Sequence, residues 1–119
     1  MPIEKGAVLI ELVIEGRTAG TWAVLAVSGE LDLATAPGLR ERLREMTPEG
    51  PVKVALDLTA VGFVDSSGLG AIVTCLKHVR ELGGELVLVA PDASPIAKLL
   101  SLTGLEPSIA RVRTVGDLR

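Results

Sequence analysis

The chain has 119 residues, 48% of them hydrophobic, a formal net charge of −3 and one cysteine, Cys75. That is apolar material for a single core, and it excludes an internal disulfide. With Trp22 and Phe63 as the sole aromatics, it also excludes a stacking platform for single-stranded nucleic acid.

In chain order, residues 1–6 carry no basic segment followed by an apolar run, so they do not read as a signal peptide. Over residues 7–14, Val8, Ile10, Leu12 and Ile14 share one face and Glu11 the other, which predicts a strand. A turn over residues 16–20 leads antiparallel into a second strand, the near-continuous apolar run 22–27. Thr35 ahead of Pro37 starts a helix with Leu39, Leu43 and Met46 at i, i+4, i+7. Arg40, Arg42 and Arg44 alternate with Glu41 and Glu45 on it, a solvated face and not a nucleic-acid surface. Residues 47–51 read as a loop. Residues 52–58 form a third strand, with Val52, Val54, Leu56 and Leu58 on one face and Lys53, Ala55 and Asp57 on the other. Leu69, Ile72, Val73, Leu76 and Val79 make the stripe of a second helix, which Gly83 and Gly84 end. Residues 86–90 are a fourth strand. Ser94 caps and Pro95 opens a third helix with Ile96, Leu99 and Leu100 inward, and Gly104 ends it. Residues 109–112 give a weaker last strand.

This order predicts one α/β domain over 1–119, with a mostly parallel sheet of about five strands. Lys53 and Asp57 on one side of a central strand place the helices mainly on the other face. No apolar run approaches the ~18 residues of a membrane helix, so a soluble, cytoplasmic protein is expected.

Chemistry concentrates in Val61-Gly62-Phe63-Val64-Asp65-Ser66-Ser67-Gly68-Leu69-Gly70, which follows a strand and opens the best-patterned helix. Asp65 or Ser66 can cap that helix. Gly68 and Gly70 in its first turn each cost up to about 1 kcal/mol relative to alanine, which a plain cap does not require. They predict a bare helix end open to another molecule, and a hydroxyl there suits a phosphate. A nucleophilic serine is disfavoured. The flanking residues do not form a nucleophile elbow, and the one histidine, His78, lies eleven residues beyond Ser67, roughly 16 Å along a helix. There is no phosphate loop of the Gly-x-x-x-x-Gly-Lys type and no His or Cys pair at metal-ligand spacing. No enzyme activity, metal or cofactor is expected.

The stretch Val-Ala-Leu-Asp-Leu-Thr-Ala-Val-Gly-Phe-Val-Asp-Ser-Ser-Gly-Leu-Gly-Ala over 54–71 resembles the signature of the STAS domain, in its anti-sigma factor antagonist branch. Ser-Gly-Glu-Leu-Asp-Leu-Ala-Thr-Ala over 28–36, Glu-Leu-Gly-Gly-Glu-Leu-Val-Leu-Val over 81–89 and Leu-Thr-Gly-Leu over 102–105 match in the same order. The resemblance implies a STAS-like fold and a partner-switching role in transcription regulation. The unphosphorylated chain would bind an anti-sigma factor that is itself a serine kinase and so free a sigma factor. Phosphorylation at Ser67, the second serine of the pair, would break the complex, and a metal-dependent serine phosphatase would reset it. Partner contacts are expected at Asp32, Asp65, Ser66, Gly68, Leu69 and Gly70, in a monomer or weak dimer without direct nucleic-acid or membrane binding. Asp32 matches an acidic position of the family, although an Asp before Thr-Ala-Pro also suits a turn. Ser66 is expected to help cap the helix, and His78, Cys75 and Trp22 to be structural. A scaffold in a stressosome-like assembly, or a cytosolic subunit of a lipid or anion transport system, is the alternative role.

Overall fold

Among the described residues, five strands and three α-helices follow one another as β1 (Val13–Ala19), β2 (Trp22–Leu31), α1 (Ala36–Met46), β3 (Lys53–Val64), α2 (Ser66–Glu81), β4 (Glu85–Val89), α3 (Pro95–Thr103) and β5 (Arg111–Val112). The computed structural model describes residues 12–47 and 52–119. The sheet order is β1-β2-β3-β4-β5. β1 runs antiparallel to β2, and the other pairings are parallel. The α/β architecture follows the expected strand–helix order.

The boundaries of four strands, β1, β2, β3 and β5, differ from those the sequence predicts. The predicted first strand over 7–14 falls mostly outside the described residues, and β1 runs on through the segment expected to turn. The turn is tighter and later: Ala19 pairs with Trp22, so Gly20 and Thr21 alone connect the strands, and Gly20 takes φ +61. Gly16 is instead a strand residue, and a side chain there would make ordinary van der Waals contact with the Met46 thioether. β2 continues to Leu31 through register shifts on either side of Gly29, which adopts φ +111. Each shift places one extra residue in β3, a bulge that breaks the two-residue period of that strand's alternation. β3 likewise extends to Val64, whereas β4 pairs with it over 53–57 only. The last strand shrinks to two residues, with Ile109 buried just ahead of it.

All three helices lie on one face of the sheet, as expected. Leu39 and Leu43 of α1, Ile72, Cys75 and Val79 of α2 and Ile96 and Leu100 of α3 share one core with Leu25, Leu31, Leu56, Leu58 and Leu88. Ser94 caps α3 by accepting from the Ala97 amide, and Gly104 ends it in the left-handed conformation. Thr35 precedes α1 but its hydroxyl does not cap it.

The opposite face is not left open at its β4 side. Trp22, Val24, Ala55, Val87 and Val89 are buried there beneath Val112, Val115 and Leu118 of the C-terminal segment. Trp22 Nε1 donates to the Arg119 carbonyl oxygen at 3.2 Å, and Lys53 Nζ stands 5.4 Å from the indole centroid. Ala55, expected on a polar face, is fully buried for this reason.

Candidate functional site

The carboxyl ends of β2 and β3 lie side by side, because Leu31 pairs with Val64. Asp32 follows one strand and Asp65 the other, so the sheet sets two aspartates distant in sequence at adjacent strand ends. The α/β fold places its functional crevice at such strand ends.

Asp65 is extended (φ −104, ψ −174), and its carboxylate accepts the Gly68 amide at 2.9 Å. Its own amide donates to the Leu31 carbonyl at 3.2 Å, and its carbonyl accepts the Leu69 amide at 2.9 Å. Asp65 is therefore the cap. Ser66 is the first helical residue and exposed, which corrects the expectation that it helps to cap. Ser67 is second and half-buried. The amides of Ser66 and Ser67 have no carbonyl within the helix to bond, as the geometry of a helix start dictates. Among the described residues neither serine hydroxyl is engaged in a hydrogen bond. The result is a free hydroxyl beside two free amides at the positive end of a sixteen-residue helix, where an added anion is stabilised.

The two glycines differ. Gly70 is exposed, and a Cβ there would meet nothing within 4 Å. Gly68 is buried against Leu31, so the bareness expected of it is taken up by the chain's own β2. Leu69 is also buried in the core.

Asp32 organises a turn. Its Oδ1 accepts from the Ala34 and Thr35 amides at 3.0 and 3.1 Å, and its carbonyl accepts the Ala36 amide at 2.8 Å. The Thr35 hydroxyl donates to the Glu30 carbonyl at 2.7 Å and accepts the Asp32 amide at 3.0 Å. The turn reading of Asp32 is thus realised.

Two apolar residues beside the site escaped sequence reasoning. Leu33 is 75% and Phe63 47% exposed, Leu33 next to Asp32 and Phe63 paired with Glu30 across β2–β3. An apolar side chain within a strand or beside a helix start gives the same sequence signal whether it faces core or water.

His78 is remote from chemistry: its Nε2 lies 3.0 Å from the Thr47 hydroxyl, which itself donates to the Leu43 carbonyl at 2.9 Å. The pair ties the end of α1 to α2. Cys75 is buried, and that burial pushes its thiol up to about 11, the state of an inert core residue. Among the described residues no cluster of His, Cys, Asp and Glu is arranged to hold a metal ion, and no helix is long and apolar enough to cross a membrane.

The family model of the STAS domain matches residues 11–118. The chain belongs to the STAS domain family. This STAS domain is 34% identical over 92 residues to the anti-sigma-B factor antagonist of Listeria monocytogenes, covering 77% of this chain and 80% of the relative. The crystal structure of an anti-sigma factor antagonist from Mycobacterium paratuberculosis superposes with a TM-score of 0.72 at 27% identity, covering 89% of both chains. The Bacillus cell fate determinant SpoIIAA in its phosphorylated form shares the STAS fold, with a TM-score of 0.59 at 18% identity over 84% of this chain and 91% of that one.

Proposed function

We propose that this STAS domain is an anti-sigma factor antagonist that binds a serine-kinase anti-sigma factor while unphosphorylated and is released when Ser67 is phosphorylated. The observation that carries the reading is the unengaged Ser67 hydroxyl in the first turn of α2, behind a cap supplied by Asp65. The names of the relatives support the same role.

In this reading the partner covers Ser66, Ser67, the open flank of Gly70 and the loop carrying Asp32, with Leu33 and Phe63 as apolar contacts. Gly68 and Leu69 contribute from below, by shaping the surface. A phosphate on Ser67 adds about 1.5 to 2 negative charges. Within the domain it meets two free amides and a favourable dipole. At the interface it intrudes between surfaces that had packed closely and must be desolvated. Losing ~3 kcal/mol there weakens binding more than a hundredfold. The kinase partner supplies the catalysis, this chain is the acceptor, and a metal-dependent serine phosphatase restores it.

Incubation with ATP and the anti-sigma kinases of the source cell, followed by phosphopeptide mapping, tests the proposal. A single phosphate at Ser67, absent from Ser67→Ala, is expected. Undiminished phosphorylation of Ser67→Ala defeats the assignment of the residue, and no phosphorylation or binding by any such kinase defeats the function.

A further inference from the structure

Gly68 stands where the chain leaves no room for a side chain. A Cβ there would run into the Leu31 carbonyl oxygen and lie 2.8 Å from Leu31 Cγ. The obstacle is backbone and cannot swing aside as the tip of a flexible side chain can. That same carbonyl accepts the Asp65 amide, and one residue beyond it begins the turn held by the Asp32 carboxylate and the Thr35 hydroxyl. One carbonyl therefore joins the end of β2, the start of α2 and the loop that follows β2.

We infer that Gly68 is a positioning residue: it sets the distance between the loop bearing Asp32 and Leu33 and the helix end bearing Ser66 and Ser67, so that a partner meets them as one rigid surface. Gly68 acts through Leu31 and not by touching the partner. A methyl group at Gly68 forces the two apart, because close-packed interiors transmit strain instead of absorbing it. Gly70, two residues on, has open space in place of a carbonyl. The inference rests on the partner reading above, but its first test needs no partner.

Backbone amide spectra of the free protein provide that test. Gly68→Ala is expected to shift the amides of Asp32, Ala34, Thr35 and Ala36, whereas Gly70→Ala leaves them in place; unmoved amides in a folded Gly68→Ala protein overturn the inference. In the second arm, affinity for the anti-sigma kinase is expected to fall at least tenfold in Gly68→Ala. Asp32→Ala, expected to weaken binding in the wild type, is expected to add less than twofold on that background, since neighbours that share a contact are not additive. Independent, multiplying effects overturn it. Should Gly68→Ala fail to fold, hydrogen exchange in the unmodified protein decides. The Asp65 and Ala36 amides are expected to open together, and exchange of Ala36 more than tenfold faster than Asp65 overturns the coupling. If the amides shift and the wild type binds no such kinase, the partner reading fails and the coupling stands.

Discussion

Asp65 supplies the side-chain cap of α2, so Asp65→Ala is expected to cost about 1 kcal/mol of stability and Asp65→Asn much less, since asparagine caps nearly as well. Denaturant midpoints of the two variants check this; equal losses would point to charge, not capping. Asp32 calls for a different expectation than an ordinary loop residue. With two amides bonded to its Oδ1, Asp32→Ala is expected to lower stability by about 1 kcal/mol as well as partner affinity, and an unchanged affinity would leave Asp32 with the turn alone. Cys75 carries a pH signature. Its thiol is raised from 9.0 to about 11 by burial, so the folded state holds its proton more tightly than the unfolded chain. The corresponding stability is fully present below about pH 9 and is lost as pH rises toward about 11. Cys75→Ala is expected to flatten that decline in unfolding curves taken from pH 8 to 11, despite a lower baseline from the lost packing.

At the scale of elements, α2 combines a good stripe with a poor first turn. Gly70 is helical, exposed and unobstructed, so Gly70→Ala is expected to stabilise the domain by about 0.5–1 kcal/mol while weakening the partner complex. A variant that melts higher and binds worse is the mark of a glycine kept for an interface; tighter binding would show that the flank of Gly70 is not covered. Ser67→Asp is expected to stay within about 0.5 kcal/mol of the wild type in stability, because its charge meets free amides and the favourable helix dipole, yet to lose the kinase partner. Disturbed backbone spectra in that variant or in the phosphorylated protein would make the switch conformational. The helices were legible from sequence because their stripes repeat without interruption: Leu39 and Leu43, then Leu69, Ile72, Leu76 and Val79. The strands were less so. The β2–β3 pairing slips twice, each time by one extra β3 residue, and Ala60 and Gly62 dilute the alternation of β3 just where it outruns β4.

For the molecule as a whole, the position of Asp65-Ser66-Ser67 at a strand-to-helix junction was readable from local pattern. Its closeness to Asp32 was implied by family resemblance and follows physically only from the parallel β2–β3 register, a contact across about thirty residues that no local pattern contains. The cover of the second sheet face was not legible at all. Val115 and Leu118 are isolated apolar residues in a polar tail and acquire meaning only once Trp22, Val24 and Val89 lie beneath them.

That cover has a practical consequence. Trp22, the sole tryptophan, opens β2, while the Leu31 corner closes it nine residues away, roughly 30 Å along a strand. Indole emission thus comes from the end of the domain remote from Ser67, shielded by the chain's own tail. Phosphorylation should leave that emission unchanged, and global unfolding should shift it to the red. The protein carries an intrinsic optical probe that is deaf to the switch and alert to collapse, so one cuvette can separate loss of partner from loss of fold.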